Sequence, residues 1–315
     1  FTKAKMKRRI AEVEASIDRY LDQLDDADTS APADDQRRIK DRIAPLTEEM
    51  DRLKKLEVRM LESPDEQLSL TDPDCRSMKS RGAGIVGYNV QTAVDVETHL
   101  IVVHEVANVG KDRCQLGPMA IKAQEILASD NTINVIADQG YYRGEELLAC
   151  EEAGITAYVA KADTSGKRGK GEFTRKQFRY IPEDDEYECP AGERAIYRFT
   201  RAESGKQIRR YWSSACSSCS IQSKCTPSDN RRISRWEHED VVERAEARLT
   251  GYPEAMRVRR ATVEHPFGTL KQWMGSGFLT KRKHNVSTEM SLHVLAYNMK
   301  RAMNLVRAKA ILDAI

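Results

Sequence analysis

A marked charge of either sign is missing from this 315-residue chain: 51 Lys and Arg stand against 49 Asp and Glu, a formal net charge of +2. With that balance there is no uniform cationic surface, so contact with a polyanion requires positive charge concentrated locally. Long apolar runs are missing too. No stretch approaches the roughly 20 apolar residues that span a bilayer, so no membrane partner is expected. No signal peptide is visible at the start, so the expected location is cytoplasmic. Seven cysteines without an export signal argue against a disulfide framework. There is no internal repeat.

What is present suits a buried core. Hydrophobic residues are 40% and charged residues 32%, and the length suggests about two domains. Positive charge does concentrate in places: Lys3 to Arg9, Lys167 to Lys176, Arg257 to Arg260 and Lys281 to Lys283. Taken singly, each run reads as a solvated face.

The first segment predicts two helices. Met6, Ile10, Val13, Ile17, Leu21 and Leu24 recur at spacings of three and four, as do Ile39, Ile43, Leu46, Met50, Leu53 and Met60. Each set makes one apolar stripe, and an antiparallel hairpin buries the two against each other. Thr29, Ser30 and Pro32 mark the turn, and Pro45 should kink the second helix or mark its first turn. Charge of both signs on the outer faces favours a packing or dimerisation element over a DNA-reaching arm. Residues 63–84, with Pro64, Pro73, Gly82 and Gly84, read as a loop.

The period then changes. Residues 85–94 and 100–106 read as a β-hairpin turned by Asp95 to Thr98. Asp112 stands where a helix cap belongs, before an amphipathic run from Arg113 to Leu127. Ile133 to Ala137 is a strand, Arg143 to Ala153 a helix and Ile155 to Val159 a strand. This order predicts an α/β fold with a mixed sheet. Gly166 to Gly171 is a basic glycine-rich loop. Phe178 to Arg235 reads as an insertion of short β-runs, and Glu254 to Met274 and Thr288 to Ala310 as long helices.

Two places carry chemistry in carboxylates. Asp138 ends an apolar strand, the edge of an α/β sheet where ligands sit. The bland alternative is a turn aspartate before Gly140. Arg260 and Glu264 are four apart and share a helix face, with Lys271 seven further on, so a carboxylate flanked by cations could hold a metal while the cations meet phosphates. Alone, this is no more than a surface ion pair worth a few tenths of a kcal/mol, although Pro266 disturbs the helix beside Glu264.

The cysteines carry another signal. Cys216-Ser-Ser-Cys219 is a Cys-x2-Cys knuckle followed by Cys225, with Cys189 upstream. Four thiolates in two local clusters fit a tetrahedral structural Zn²⁺ site. The alternative is incidental reduced cysteines, but free cysteine prefers apolar surroundings and these lie among Ser, Lys, Gln and Pro. The Cys189 arm lacks a second close cysteine. Cys75, Cys114 and Cys150 show no ligand spacing.

Taken together, Ala137 to Tyr141 (Ala-Asp-x-Gly-Tyr), Gly87 to Asp95, and Arg260, Glu264 and Lys271 (Arg-x3-Glu-x6-Lys) resemble the bacterial insertion-sequence transposases with a DDE transposase domain. Thr71 to Asp74 and Val263 to Gly268 resemble the branch with a helical hairpin and a cysteine-bearing insertion. The resemblance runs from Phe1 to the last helix. It implies an RNase H-like core in which two aspartates and a glutamate hold two Mg²⁺ or Mn²⁺ ions for phosphodiester cleavage and strand transfer. Asp138 matches the second aspartate, Glu264 the glutamate, and Arg260 and Lys271 the cationic partners. Arg257 stands where the pattern often has tyrosine. The implied partner is DNA, as transposon ends and target, with room for a homodimer, in the bacterial cytoplasm at the nucleoid.

That branch carries its first aspartate on a strand before the helical hairpin, and here the hairpin starts almost at Phe1. The expectation is an N-terminally truncated chain whose first aspartate is absent. The fallback candidates, Asp74 and Asp95, read as a loop residue and a hairpin-turn residue. The expected organisation is a helical hairpin at 1–62, the first part of the core at 63–165, a basic cysteine-bearing insertion at 166–236, and helices completing the core at 237–315. Two rival readings remain: an RNase H-like nuclease, and a catalytically inactive, zinc-stabilised DNA-binding remnant.

Overall fold

The structure is a computed structural model that describes residues 1–30, 33–63, 65–80, 83–127, 132–161, 172–275 and 277–306. The loop expected at Gly166 to Gly171, the turn residues Pro32, Pro64 and Gly82, and the helix end expected at Ala310 lie outside them. The chain divides into two compact units, one of Phe1–Thr92, His104–Lys111 and Phe267–Ile315, the other of Ala93–Val103 and Asp112–Pro266.

In the first unit, α1 (Lys3–Ser30) and α2 (Ala33–Leu61) form the expected hairpin. Met6, Val13, Met50, Leu53, Leu56 and Met60 make its core, with Ile10, Ile17 and Leu46 packed against it. Most are striped positions, as the helical period predicts, but Leu56, which the stripe does not include, is buried with them, and Leu21, which it does include, is 43% exposed. Pro45 lies within α2, past its first turn.

Residues 63–84 are not only a loop. β1 (Arg76–Ser80) pairs antiparallel with β2 (Ala83–Gly87), from Arg76 opposite Gly87 to Ser80 opposite Ala83. The strand expected at 85–94 is broken at Tyr88, whose hydroxyl donates to Asp72 at 2.7 Å. Asp72 is buried and also accepts from the Asp74 and Arg282 amides at 3.1 and 3.0 Å, while Asp74 accepts from the Lys283 amide at 2.9 Å. Both carboxylates therefore meet orphan amides at the start of α8 (Lys283–Val306), where a helix favours negative charge. Asp74 is a structural loop residue.

The second unit holds the α/β part. β3 (Asn89–Val94) and β4 (Ile101–Ala107) form a two-stranded sheet whose turn lies in this unit. Asp95 accepts there from the Thr98 amide and hydroxyl at 2.7 and 2.6 Å, so it is the turn residue. The helix expected from Arg113 begins later: one 3-10 turn at Asp112–Cys114 precedes α3 (Leu116–Leu127). β5 (Asn134–Ala137) and β6 (Thr156–Val159) pair in parallel around α4 (Gly144–Glu152). Leu116, Ala120, Ala137, Leu147, Cys150, Ile155, Ala157 and Val159 form a core with Trp236, Val241, Val242 and Ala245.

The segment expected as short β-runs is an antiparallel five-stranded sheet. It comprises β7 (Arg179–Ile181), β8 (Glu186–Glu188), β9 (Arg194–Glu203), β10 (Lys206–Trp212) and β11 (Ile233–Trp236), in the order β11-β10-β9-β8-β7. Phe178, Tyr187, Ala195, Tyr211 and Ile233 form its core. A short helix, α5 (Gln222–Cys225), lies in the β10–β11 connection, and α6 (Glu239–Gly251) and α7 (Ala255–Met274) follow. α7 runs on through Pro266, which is buried. Among the described residues the strands make four separate sheets. The α/β class expected from the sequence is present, but not the mixed sheet: among the described residues β5–β6 is parallel and the five-stranded sheet is antiparallel throughout.

Candidate active site

Asp138 sits at the carboxyl end of β5, fixed by pairing of the last strand residue, Ala137, with Val159 of β6. One carboxylate oxygen, Oδ1, accepts from the Gly140 amide at 2.7 Å, so the turn role is real. The other, Oδ2, lies 3.3 Å from Nη2 of Arg259 on α7. The side chain is still 44% exposed, open enough to meet a ligand.

A second carboxylate stands nearby. A Cβ on Gly140 would come 3.0 Å from Oδ1 of Asp138 and 3.5 Å from Oδ2 of Asp112, so both carboxylates lie beside this glycine. Burial pushes the Tyr141 hydroxyl up, Asp112 and then Asp138 push it further, and Arg259 pulls it back. Sequence reading missed Asp112 and Arg259. Asp112 looked like a helix cap, and Arg259 was one member of a basic run.

Glu264, Arg260 and Lys271 are exposed on α7. At 3.6 residues per turn, Glu264 stands about 140° around the helix from Arg259. Thr262 and Pro266 occupy the buried side. Among the described residues no hydrogen bond or ion pair joins Glu264 to Asp138 or to Arg260. His265, beside Glu264, packs edge-on against His99 of the β3–β4 turn at 5.3 Å between ring centres. No three His, Cys, Asp or Glu side chains among the described residues are grouped closely enough, as they stand, to hold an ion.

In the five-stranded sheet, Cys189, Cys216, Cys219 and Cys225 are free thiols, all half-buried. They line one cavity of about 30 Å³ with Phe178, Ile221 and Arg231 among its other walls. Burial pushes the Cys225 thiol up, Arg231 pulls it down, and the other three sulfurs push it up again. The remaining cysteines stay apart. Cys75 donates to Asp72 at 3.4 Å, Cys114 meets Arg143, and Cys150 is a core residue whose thiol burial raises to about 11.

Asp138 thus ends a strand of the α/β unit in contact with Arg259 of α7. The family comparison gives the class its name: a model of the transposase DDE domain matches residues 63–299, and the chain belongs to that family. Its function is therefore of the transposase type. No curated protein and no solved structure gives a match to the chain. Among the described residues no helix is long and apolar enough to cross a membrane.

Proposed function

We propose that this chain is the catalytic region of a DNA transposase, acting in metal-dependent phosphodiester cleavage and strand transfer at transposon ends. What carries the reading is Asp138, placed at a strand end beside a cationic helix within the family match. The β3–β4 and β5–β6 pairs and their helices are read as parts of an RNase H-like core, with the helical hairpin and the cysteine-bearing sheet as its insertions. A homodimer at the bacterial nucleoid belongs to the same reading.

Asp138 and Glu264 offer oxygen, the donor that hard Mg²⁺ or Mn²⁺ ions take. They fit such an ion in kind, but they are not assembled into one site. A bound ion would supply Lewis acidity at the phosphate and an activated attacking oxygen. The chain's own residues do the rest. Asp138 presents a carboxylate, for which Arg259 competes with a cation. Arg260 and Lys271 offer charge to DNA phosphates along the exposed side of α7. Cleavage by two ions needs a third carboxylate, and neither Asp74 nor Asp95 is free to supply it, since both are occupied in loop and turn bonds. The contact between Arg259 and Asp138 favours, as a second reading, a chain that binds DNA without cutting it.

The test pairs Mn²⁺ binding, followed by paramagnetic resonance, with binding to duplex DNA. Asp138→Asn should abolish Mn²⁺ binding and leave DNA binding intact. Mn²⁺ binding unchanged in Asp138→Asn, or no DNA binding even at low salt, overturns the assignment.

A further inference from the structure

We propose that Cys189, Cys216, Cys219 and Cys225 bind one structural Zn²⁺, with Arg231 as the outer donor to the sulfurs. The site is separate from the carboxylates and does not depend on their role.

Two arms carry the four thiols to the walls of one cavity; as they stand no three are close enough to hold an ion, so binding must draw them in. Cys189 follows β8 in a turn closed by the Gly192 amide on the Cys189 carbonyl and the Cys189 amide on the Glu193 carbonyl, each 2.9 Å. Gly192 sits at φ +82°, a conformation that glycine adopts without strain. On the other arm, the Cys219 amide bonds the Cys216 carbonyl at 3.3 Å and the Gln222 amide bonds the Cys219 carbonyl at 3.1 Å. Cys225 ends the short helix that follows. Both arms open on the same cavity, whose volume of about 30 Å³ has room for one ion. Four sulfurs around one ion is tetrahedral thiolate chemistry, which suits Zn²⁺.

Arg231 supplies a second, independent observation. It lines the same cavity. Its Nε is buried and has no hydrogen-bond partner among the described residues, and its guanidinium lies 5.5 Å from the Phe178 ring centre. A buried donor without an acceptor is uncommon in a folded chain. Four thiolates on Zn²⁺ carry a net charge of −2, and metal-bound sulfur accepts N–H donors, so both the charge and the donor find their complement. On binding, each thiol gives up its proton to solvent and its sulfur closes to about 2.3 Å from the ion. The ion then ties the β8–β9 turn to the β10–β11 connection and fixes the insertion.

The test uses the untagged full chain, reduced and purified without chelator. Metal analysis should find about one zinc per chain, and Co²⁺ substitution should give the visible absorption of a tetrahedral thiolate site. Cys189→Ser and Cys216→Ser should lose both signals, and Cys150→Ser should keep both. Arg231→Met should bind zinc about 10- to 100-fold more weakly. As a check that needs no variant, a thiol reagent should find four fewer fast-reacting thiols before a strong chelator is added than after. No zinc after reconstitution of the reduced chain overturns the proposal. So do iron in its place, disulfides joining these four cysteines, or an equal thiol count with and without chelator.

Discussion

Arg259 on α7 and Asp138 at the end of β5, 121 positions apart, meet at 3.3 Å. The side chains are 24% and 44% exposed, so solvent screens the pair and its contribution to stability is about 0.2–1 kcal/mol. Its larger consequence is competition, because the guanidinium occupies the carboxylate a divalent ion would need. Arg259→Gln should cost no more than about 1 kcal/mol in denaturant unfolding and tighten Mn²⁺ binding several-fold. Weaker or unchanged Mn²⁺ binding in that variant would show that Arg259 supports the site instead of competing for it.

The helical hairpin should depend on its stripe. Leu53 is 1% exposed in the hairpin core, whereas Leu21, also a striped position, is 43% exposed. Leu53→Ala should destabilise by about 2–5 kcal/mol through lost burial and the cavity left behind. Leu21→Ala should stay within about 0.5 kcal/mol. Thermal unfolding followed by circular dichroism separates the two, and equal effects would mean that Leu21 is buried in the hairpin as Leu53 is.

That contrast also shows how far the sequence could be read. Leu53 was legible because helical period marks a buried face without knowledge of the partner. β1 was not legible: Arg76 to Ser80 is a mostly polar strand that among the described residues pairs only with β2, and Ile85 and Val86 of β2 are both exposed. A two-stranded ribbon with no buried face leaves no alternation to detect. Asp138 was legible from the apolar run that ends in it. Asp112 became its neighbour only through the packing of α3 and its preceding turn near β5, which no local pattern encodes. The cysteine spacing pointed to two clusters, and their common cavity depends on the β-sheet between them.

Gly144 begins α4 against the face of Trp236, and a Cβ there would lie 2.7 Å from Cζ3 of that ring. The indole is 8% exposed in the unit's core, with the Lys206 ammonium 4.7 Å from its centre. It therefore has little room to yield. Gly144→Ala should destabilise by about 1–3 kcal/mol, the range for overpacking, although alanine is the better helix former. Indole fluorescence should shift with it. A stabilised variant with unchanged emission would place the ring farther from α4.

Glu145 gives the second unit an acid-sensitive tie. Burial pushes its carboxyl up, but hydrogen bonds from Lys206, its own backbone amide and Arg143 outweigh that and hold it at about 2. The Lys206 ammonium is 2.6 Å away. A carboxylate with a depressed pKa contributes stability above its unfolded value of 4.5 and loses it as pH falls toward 2. The stability gap between the parent chain and Glu145→Gln should therefore be largest above pH 5 and shrink steadily below pH 4.5. Denaturant midpoints across that range measure it, and a gap independent of pH would remove the ion pair as its cause.

The last prediction concerns where DNA binds. In the five-stranded sheet, Tyr197 and Phe199 are exposed on β9, and Arg198 and Arg232 lie 5.3 and 5.7 Å from the Trp212 ring centre. Arg198 is also committed within the fold, bonding Oγ of Ser214 at 2.9 Å. Arg201 and Arg232 are exposed, so their charge can meet phosphate at no structural cost. Each phosphate contact contributes about 0.9 to the slope of log affinity against log salt on duplex DNA. Arg201→Gln and Arg232→Gln should each lower that slope by about 1 while leaving thermal stability unchanged. Fluorescence anisotropy across a salt series reads the slope directly. If both variants keep the parental slope and affinity, the phosphate contacts lie elsewhere, and the exposed cations of α7, Arg260 and Lys271, are the next to test in the same way.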